Sequence, residues 1–245
     1  MKKPNIKRKL KISLITLSAL IILLVGGFYV YTLDYYHAQT NALQAFLQSG
    51  NSVPAQKNMT VFHPAGAHKT KTGIIFYPGG KVEAKAYAPL LAGLANKGYS
   101  SVLIDMPLNL AIFGINQASK VYQTFPEIEH WFLSGHSLGG AMASSYSQKH
   151  SSKLSGLILL GAYPLNKPNL PTLAIYGTFD QGIDQDKLFG VDSVEISGGN
   201  HAYFGDYGEQ KGDGTAGIQR KEQQHQTIEA IDEFIKKTLL VNESE

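Results

Sequence analysis

The sequence predicts an α/β fold, a mostly parallel sheet with helices on both faces, preceded by one N-terminal transmembrane helix. Three observations predict it. The run from Ile12 to Leu33 is apolar and uncharged; short β-branched runs alternate with longer helical stretches from about residue 57 onward; and a Gly-x-Ser-x-Gly turn sits between one strand and one helix. At 245 residues the chain has room for one well-buried core beside a membrane segment, and not for two ordinary domains.

The first element is the span. As a helix, Ile12 to Leu33 covers about 33 Å, enough to cross a bilayer. The competing reading is a cleaved signal peptide, whose apolar core runs about 7–15 residues and ends at a small-x-small site. Here the run is longer and ends in Phe28, Tyr29, Val30 and Tyr31, aromatics suited to the far interface of a retained helix. Lys2, Lys3, Lys7, Arg8, Lys9 and Lys11 precede the span, and no Lys or Arg falls between Asp34 and Gln56. The expected arrangement is a single-pass protein of the cell membrane with a cytoplasmic N-terminus and an extracytoplasmic domain. The expected divisions are a basic tail over 1–11, the span over 12–33, a partly helical linker over 34–56, the folded domain over 57–240 and a tail over 241–245. The linker's helical part is read from Leu43, Phe46 and Leu47, and its end from Gly50-Asn51-Ser52-Val53-Pro54.

Composition excludes several functions. With no cysteine there is no disulfide, thiolate metal site or cysteine nucleophile. The formal charge of +3 comes from the tail: setting aside its six basic residues leaves 16 basic against 19 acidic, so no basic nucleic-acid surface is indicated.

Beyond the linker, strands are expected at Met59–His63, Gly73–Tyr77, Ser101–Asp105, Trp131–Gly135, Gly156–Gly161, Thr172–Gly177 and Ser193–Ser197. Helices are expected at Ala84–Asn96, near Gln117–Thr124, at Leu138–His150 and at Glu222–Leu239. In a parallel sheet built this way, ligands bind beyond the carboxyl ends of the strands. The chemistry is therefore sought in the loops after them.

Gly135-His136-Ser137-Leu138-Gly139 follows the run Trp131-Phe132-Leu133 and precedes Gly140-Ala141-Met142-Ala143. The motif alone is short enough to recur by chance, but a nucleophile elbow also needs a strand before it, a helix after it and small residues around a strained serine; all are present. A serine hydroxyl needs an adjacent base, and the negative oxygen that develops needs fixed donors. The N–H of Leu138 is the natural first donor. The second is sought in Tyr77-Pro78-Gly79-Gly80-Lys81, with Gly80 preferred and Lys81 in reserve.

Phe76-Tyr77-Pro78-Gly79-Gly80-Lys81, Asp105-Met106-Pro107-Leu108-Asn109, Gly135 to Ala141 and Gly198-Gly199-Asn200-His201 together resemble the α/β-hydrolase superfamily, specifically its compact bacterial fold-5 branch. The resemblance runs from about Met59 to Leu239 and leaves out the membrane segment. It implies an α/β-hydrolase fold without a large cap domain and a serine, acid, histidine order. In that order the loop after Thr172–Gly177 offers Asp180, with Asp184 as the alternative, and His201 is the histidine placed after the last strand. His136 is expected to pack or hydrogen-bond locally, and His37, His63, His68, His130, His150 and His225 have no comparable context.

The implied chemistry is cleavage of a carboxylic ester or thioester, with Ser137 as nucleophile, His201 as base and Asp180 orienting it, and it requires no metal or organic cofactor. The expected partners are a small-molecule ester substrate and the bilayer, through residues 12–33; oligomeric state is not readable. With no insertion long enough for a lid, a small or open-sited substrate is favoured over a long-chain lipid. Acyl transfer on the same scaffold and a non-catalytic tethered binding protein are the alternatives. The segment 203–214 lacks calcium-loop spacing and is read as turn chemistry, with its aromatics as a second reading for an acyl pocket.

Overall fold

The computed structural model describes residues 6–53, 56–64, 69–188 and 190–242. Lys2, Lys3, Pro54, His68 and the tail from 243 lie outside these. Two compact units divide the chain at Tyr35/Tyr36.

The first unit is one helix, α1 (Ile6–Leu33), which includes Lys7, Arg8, Lys9 and Lys11 ahead of the apolar run. Its two threonines bond back into the helix, Thr16 Oγ1 to Ile12 O at 3.0 Å and Thr32 Oγ1 to Tyr29 O at 2.7 Å. Both hydroxyls are thereby satisfied within the helix itself.

The second unit is an eight-stranded sheet in the order β1-β2-β4-β3-β5-β6-β7-β8. The strands are β1 (Gly50–Val53), β2 (Gln56–Phe62), β3 (Thr72–Tyr77), β4 (Ser100–Ile104), β5 (His130–His136), β6 (Gly156–Leu160), β7 (Thr172–Gly177) and β8 (Asp192–Ile196). β2 runs antiparallel to both of its neighbours, β1 and β4, and the remaining pairs are parallel. All seven expected strands are present, within a few residues at their ends. The pleat sorts each strand between two cores. Ile74, Phe76, Leu103, Phe132, Ile158 and Leu160 face one way, onto α3 (Ala88–Asn96) and α6 (Arg220–Asn242) through Leu90, Leu94, Ile231 and Phe234. Ile75, Tyr77, Val102, Leu133, Leu157 and Leu159 face the other, onto α4 (Ala118–Thr124) and α5 (Leu138–His150) through Val121, Ala143 and Tyr146. Burial on both faces is why these strands read as continuous apolar runs.

The region 34–56 differs from its reading as a linker. It holds α2 (Thr40–Ser49), as the periodicity of Leu43, Phe46 and Leu47 predicts, but Gly50–Val53 is an edge strand, with Gly50 opposite Phe62 and Ser52 opposite Thr60. Its composition is that of a turn; pairing along β2 makes it a strand. At the other end α6 continues through Val241 and Asn242, into the stretch expected to be a tail over 241–245.

Trp131 is the single tryptophan and is buried, so its fluorescence reports unfolding. Phe76→Ala, in the fully buried centre of the sheet, is expected to cost about 3–5 kcal/mol in urea denaturation followed this way. Leu47→Ala, at an 81% exposed position of α2, is expected to cost less than about 0.5 kcal/mol.

Candidate active site

Ser137 sits between β5 and α5 with φ 52° and ψ −119°, a backbone conformation costly for a residue with a Cβ. It is held there by its N–H, which donates to Leu160 O at 2.9 Å, and by its carbonyl, which accepts from Ala141 N–H at 3.0 Å. The neighbouring glycines let the chain turn this tightly. A Cβ on Gly139 would lie 2.2 Å from Tyr77 O, and one on Gly135 would lie 2.5 Å from the Gly139 carbonyl carbon. The first turn of α5 therefore rests directly on the end of β3.

Among the described residues, four other than glycine have positive φ: Lys81, Leu108, Asn109 and Ser137. They lie on the loops after β3, β4 and β5, which are neighbours in the sheet, so the strained backbone gathers at one edge.

At that edge His201 and Asp180 meet. The imidazole Nδ1 lies 3.0 Å from Asp180 Oδ1 and 2.9 Å from Oδ2, and both residues are buried. A carboxylate accepts only, so Nδ1 carries the proton and Nε2 is left with its lone pair. Asp180 also accepts from Gly182 N–H at 2.8 Å. Gly161, at φ 51°, gives the pair its space: a Cβ there would lie 2.8 Å from His201 Nδ1 and 2.9 Å from Asp180 Oδ2. Asp184, the alternative acid, forms an exposed ion pair with Lys187 at 3.2 Å.

Ser137 and His201 line one cavity of about 460 Å³, with Leu138, Ala162, Tyr163 and Leu165 among its apolar walls. Leu138 opens α5, so its N–H has no acceptor within the helix. Gly80 packs against it, a Cβ on Gly80 falling 2.9 Å from Leu138 Cδ2. The Lys81 N–H donates to Asn109 O at 2.8 Å and is not free to serve as the second donor.

A buried chain of hydrogen bonds ties these parts together. Gly79 N–H donates to Tyr87 Oη at 3.0 Å, Tyr87 Oη lies 2.7 Å from His136 Nδ1, and His136 Nε2 lies 3.0 Å from His201 O. Since a carbonyl only accepts, Nε2 of His136 bears the proton and Nδ1 accepts from the Tyr87 hydroxyl. Burial, reinforced by the neighbouring His201, holds the His136 imidazole well below its ordinary pKa. Burial likewise raises the Tyr87 phenol, and both rings are neutral.

The segment 203–214 builds turns and also reaches the cavity. Asp206 pairs with Arg220 at 2.6 Å. Asp213 accepts from His201 N–H at 3.1 Å, Ala202 N–H at 2.8 Å and Gly214 N–H at 2.8 Å, which fixes the backbone at the histidine. Gln210, Lys211 and Gly212 form part of the cavity wall. Asp213, Tyr87 and Gly161 were not singled out in the sequence; their partners are distant along the chain, and no local pattern marks them. No group of residues suited to hold a metal ion occurs among those described.

The family model for the alpha/beta hydrolase family matches residues 73–225, more than half of the chain. The chain belongs to that family. Solved structures with the same fold include MenH from S. aureus, at 13% identity and TM-score 0.57 over 75% of this chain and 100% of that one. Est1E from Butyrivibrio proteoclasticus matches at 14% identity and TM-score 0.56, covering 78% of this chain and 99% of that one. A predicted CIB-like hydrolase from Thermoplasma acidophilum matches at 13% identity and TM-score 0.52, over 75% and 97% respectively. At these identities the likeness is one of fold. No curated protein matches the chain.

Burial keeps the His136 imidazole neutral in the folded chain, whereas the unfolded chain leaves it at its ordinary pKa. The unfolded chain takes up a proton below about pH 6.5 that the folded chain refuses, so stability is present above that pH and falls below it, by up to about 1.4 kcal/mol per pH unit. Urea denaturation of the chain in detergent at pH 7 and pH 5 is expected to show this loss, and His136→Gln to lessen it.

Proposed function

We propose that this protein is a membrane-anchored serine hydrolase that cleaves a carboxylic ester or thioester. The observation that carries this is the buried Asp180–His201 pair beside a cavity that Ser137 also lines, with Nδ1 engaged and Nε2 left as the base. In the reaction His201 takes the Ser137 proton as Oγ attacks the carbonyl carbon. Asp180 stays ionised and steadies the imidazolium. The N–H groups of Leu138 and Gly80 receive the developing oxyanion. As the tetrahedral intermediate collapses, the bond to the leaving group breaks and His201 hands its proton to that group. Water, activated by the same imidazole, then releases the acid and restores Ser137.

Anchoring is supported by α1, a helix long and apolar enough to span a bilayer. The six basic residues before the span, and the lack of Lys or Arg from Asp34 to Gln56, support a cytoplasmic N-terminus and an extracytoplasmic hydrolase domain.

Labelling of the full chain with a fluorophosphonate, followed by mass mapping, is expected to place the adduct on Ser137 and to give none with Ser137→Ala. His201→Ala and Asp180→Asn are expected to lower ester turnover by about 10³–10⁴-fold, whereas Asp184→Asn leaves it near the parent value. An unlabelled, folded parent chain would sink the reading. Asp213→Ala, which frees the amides of His201 and Ala202, is expected to slow labelling and lower kcat by about ten- to a hundredfold, with KM little changed.

A further inference from the structure

We infer that the edge of the domain carrying Ser137 and His201 rests on the bilayer surface, and that the substrate is an amphiphilic acyl ester taken from that bilayer. This rests on the reading of α1 as a retained anchor, and it goes on to place the site and to name its substrate class.

The first observation is the path of the chain after the span. Tyr36 N–H donates to Lys81 O at 2.8 Å, Glu83 N–H donates to Tyr36 O at 2.9 Å, and Tyr36 bridges to Val82. Gln39 N–H donates to Asp206 O at 2.9 Å, and Lys211 N–H donates to Tyr36 Oη at 3.1 Å. The strap Tyr36–Gln39 is thus sewn to the loop that holds Gly80 on one side and to the segment 203–214 on the other. Both belong to the edge where the cavity opens. Only three residues of chain lead from Leu33, the last of the span, to Tyr36, a reach of at most about 11 Å. The chain that follows the span therefore joins the domain at this edge.

The second observation is independent of the first. Leu108 and Ile112 after β4, Leu165 after β6 and Phe179 after β7 are 41%, 57%, 47% and 42% exposed. All four stand on loops at the carboxyl ends of the strands. Large apolar side chains exposed together around a binding site mark a surface that meets another apolar phase.

The cavity supplies the third. Leu165 is both half-exposed at the rim and part of the wall that continues through Ala162 and Leu138 to Ser137. An acyl chain leaving the bilayer meets apolar surface from rim to nucleophile. The lack of a large lid pointed to a small substrate in the sequence; a bilayer against the rim does a lid's work of excluding water.

The chain has no cysteine, so single labels are clean. The full chain would be reconstituted into phosphatidylcholine–phosphatidylglycerol vesicles with brominated acyl chains. An environment-sensitive fluorophore would be attached at Ile112→Cys, Phe179→Cys or, as a control at the opposite edge of the sheet, Lys153→Cys. Quenching at 112 and 179 is expected to exceed that at 153 by at least about twofold. In the same vesicles, the pair Leu108→Glu with Ile112→Glu is expected to lower hydrolysis of a long-chain bilayer ester at least about tenfold while leaving that of a water-soluble acetate ester unchanged. Protein that floats with the vesicles but shows equal quenching at all three positions overturns this inference and leaves the anchor standing. Protein that does not float overturns both. Equal loss of the two activities in the glutamate pair overturns the substrate assignment.

Discussion

The close approach of the first turn of α5 to the end of β3 is the constraint on which the rest of the site depends. Gly139 lies against the carbonyls of Tyr77 and Pro78 with no room for a Cβ, and only that contact lets the chain reverse at Ser137 in so strained a conformation. Two groups are delivered together by the same approach: Leu138, with its free N–H, and the loop after β3, with Gly80. The strain at Ser137 is held by the Leu160 and Ala141 hydrogen bonds and by a sheet buried on both faces, so local cost is met by global packing.

Around this contact the polar groups are arranged so that each fixes another. Tyr87 joins the loop after β3 to His136, and His136 joins the elbow to the backbone of His201. Asp213 holds that backbone from the other side, and Gln223 of α6 closes the loop by accepting from Asn200 N–H and donating to Asn200 O, at 3.0 and 2.8 Å. The imidazole of His201 is therefore positioned through its main chain as much as through Asp180. Both rings are neutral in the folded chain, so the framework holds the histidine without placing a further charge beside it.

What could be read in the sequence follows from range. Strands such as Ile74-Ile75-Phe76 announce themselves because both faces are apolar, and Ser137, Asp180 and His201 were locatable because each follows a strand within a few residues. Gly50–Val53 was not legible as a strand: nothing in Gly-Asn-Ser-Val favours extension, and the partner that makes it one is β2. Gly161 and Asp213 were invisible for the same reason. The first matters for the volume it leaves empty beside Asp180 and His201, and the second for amides that only the fold brings to its carboxylate.

The strap Tyr36–Gln39 changes what counts as the smallest working piece of this protein. A soluble form begun at the Gly50 strand would keep the sheet, the elbow and the Asp180–His201 pair, yet it would lose the strand-like bridge to Val82 and the clasp on Asp206, both of which steady the walls of the cavity. A cut before Tyr36 would keep the strap on the folded domain, and a cut after Gln39 would remove it. The residues that join the N-terminal helix to the folded domain are thus the same ones that brace the cavity, and braced and unbraced forms of the domain differ by only a few peptide bonds.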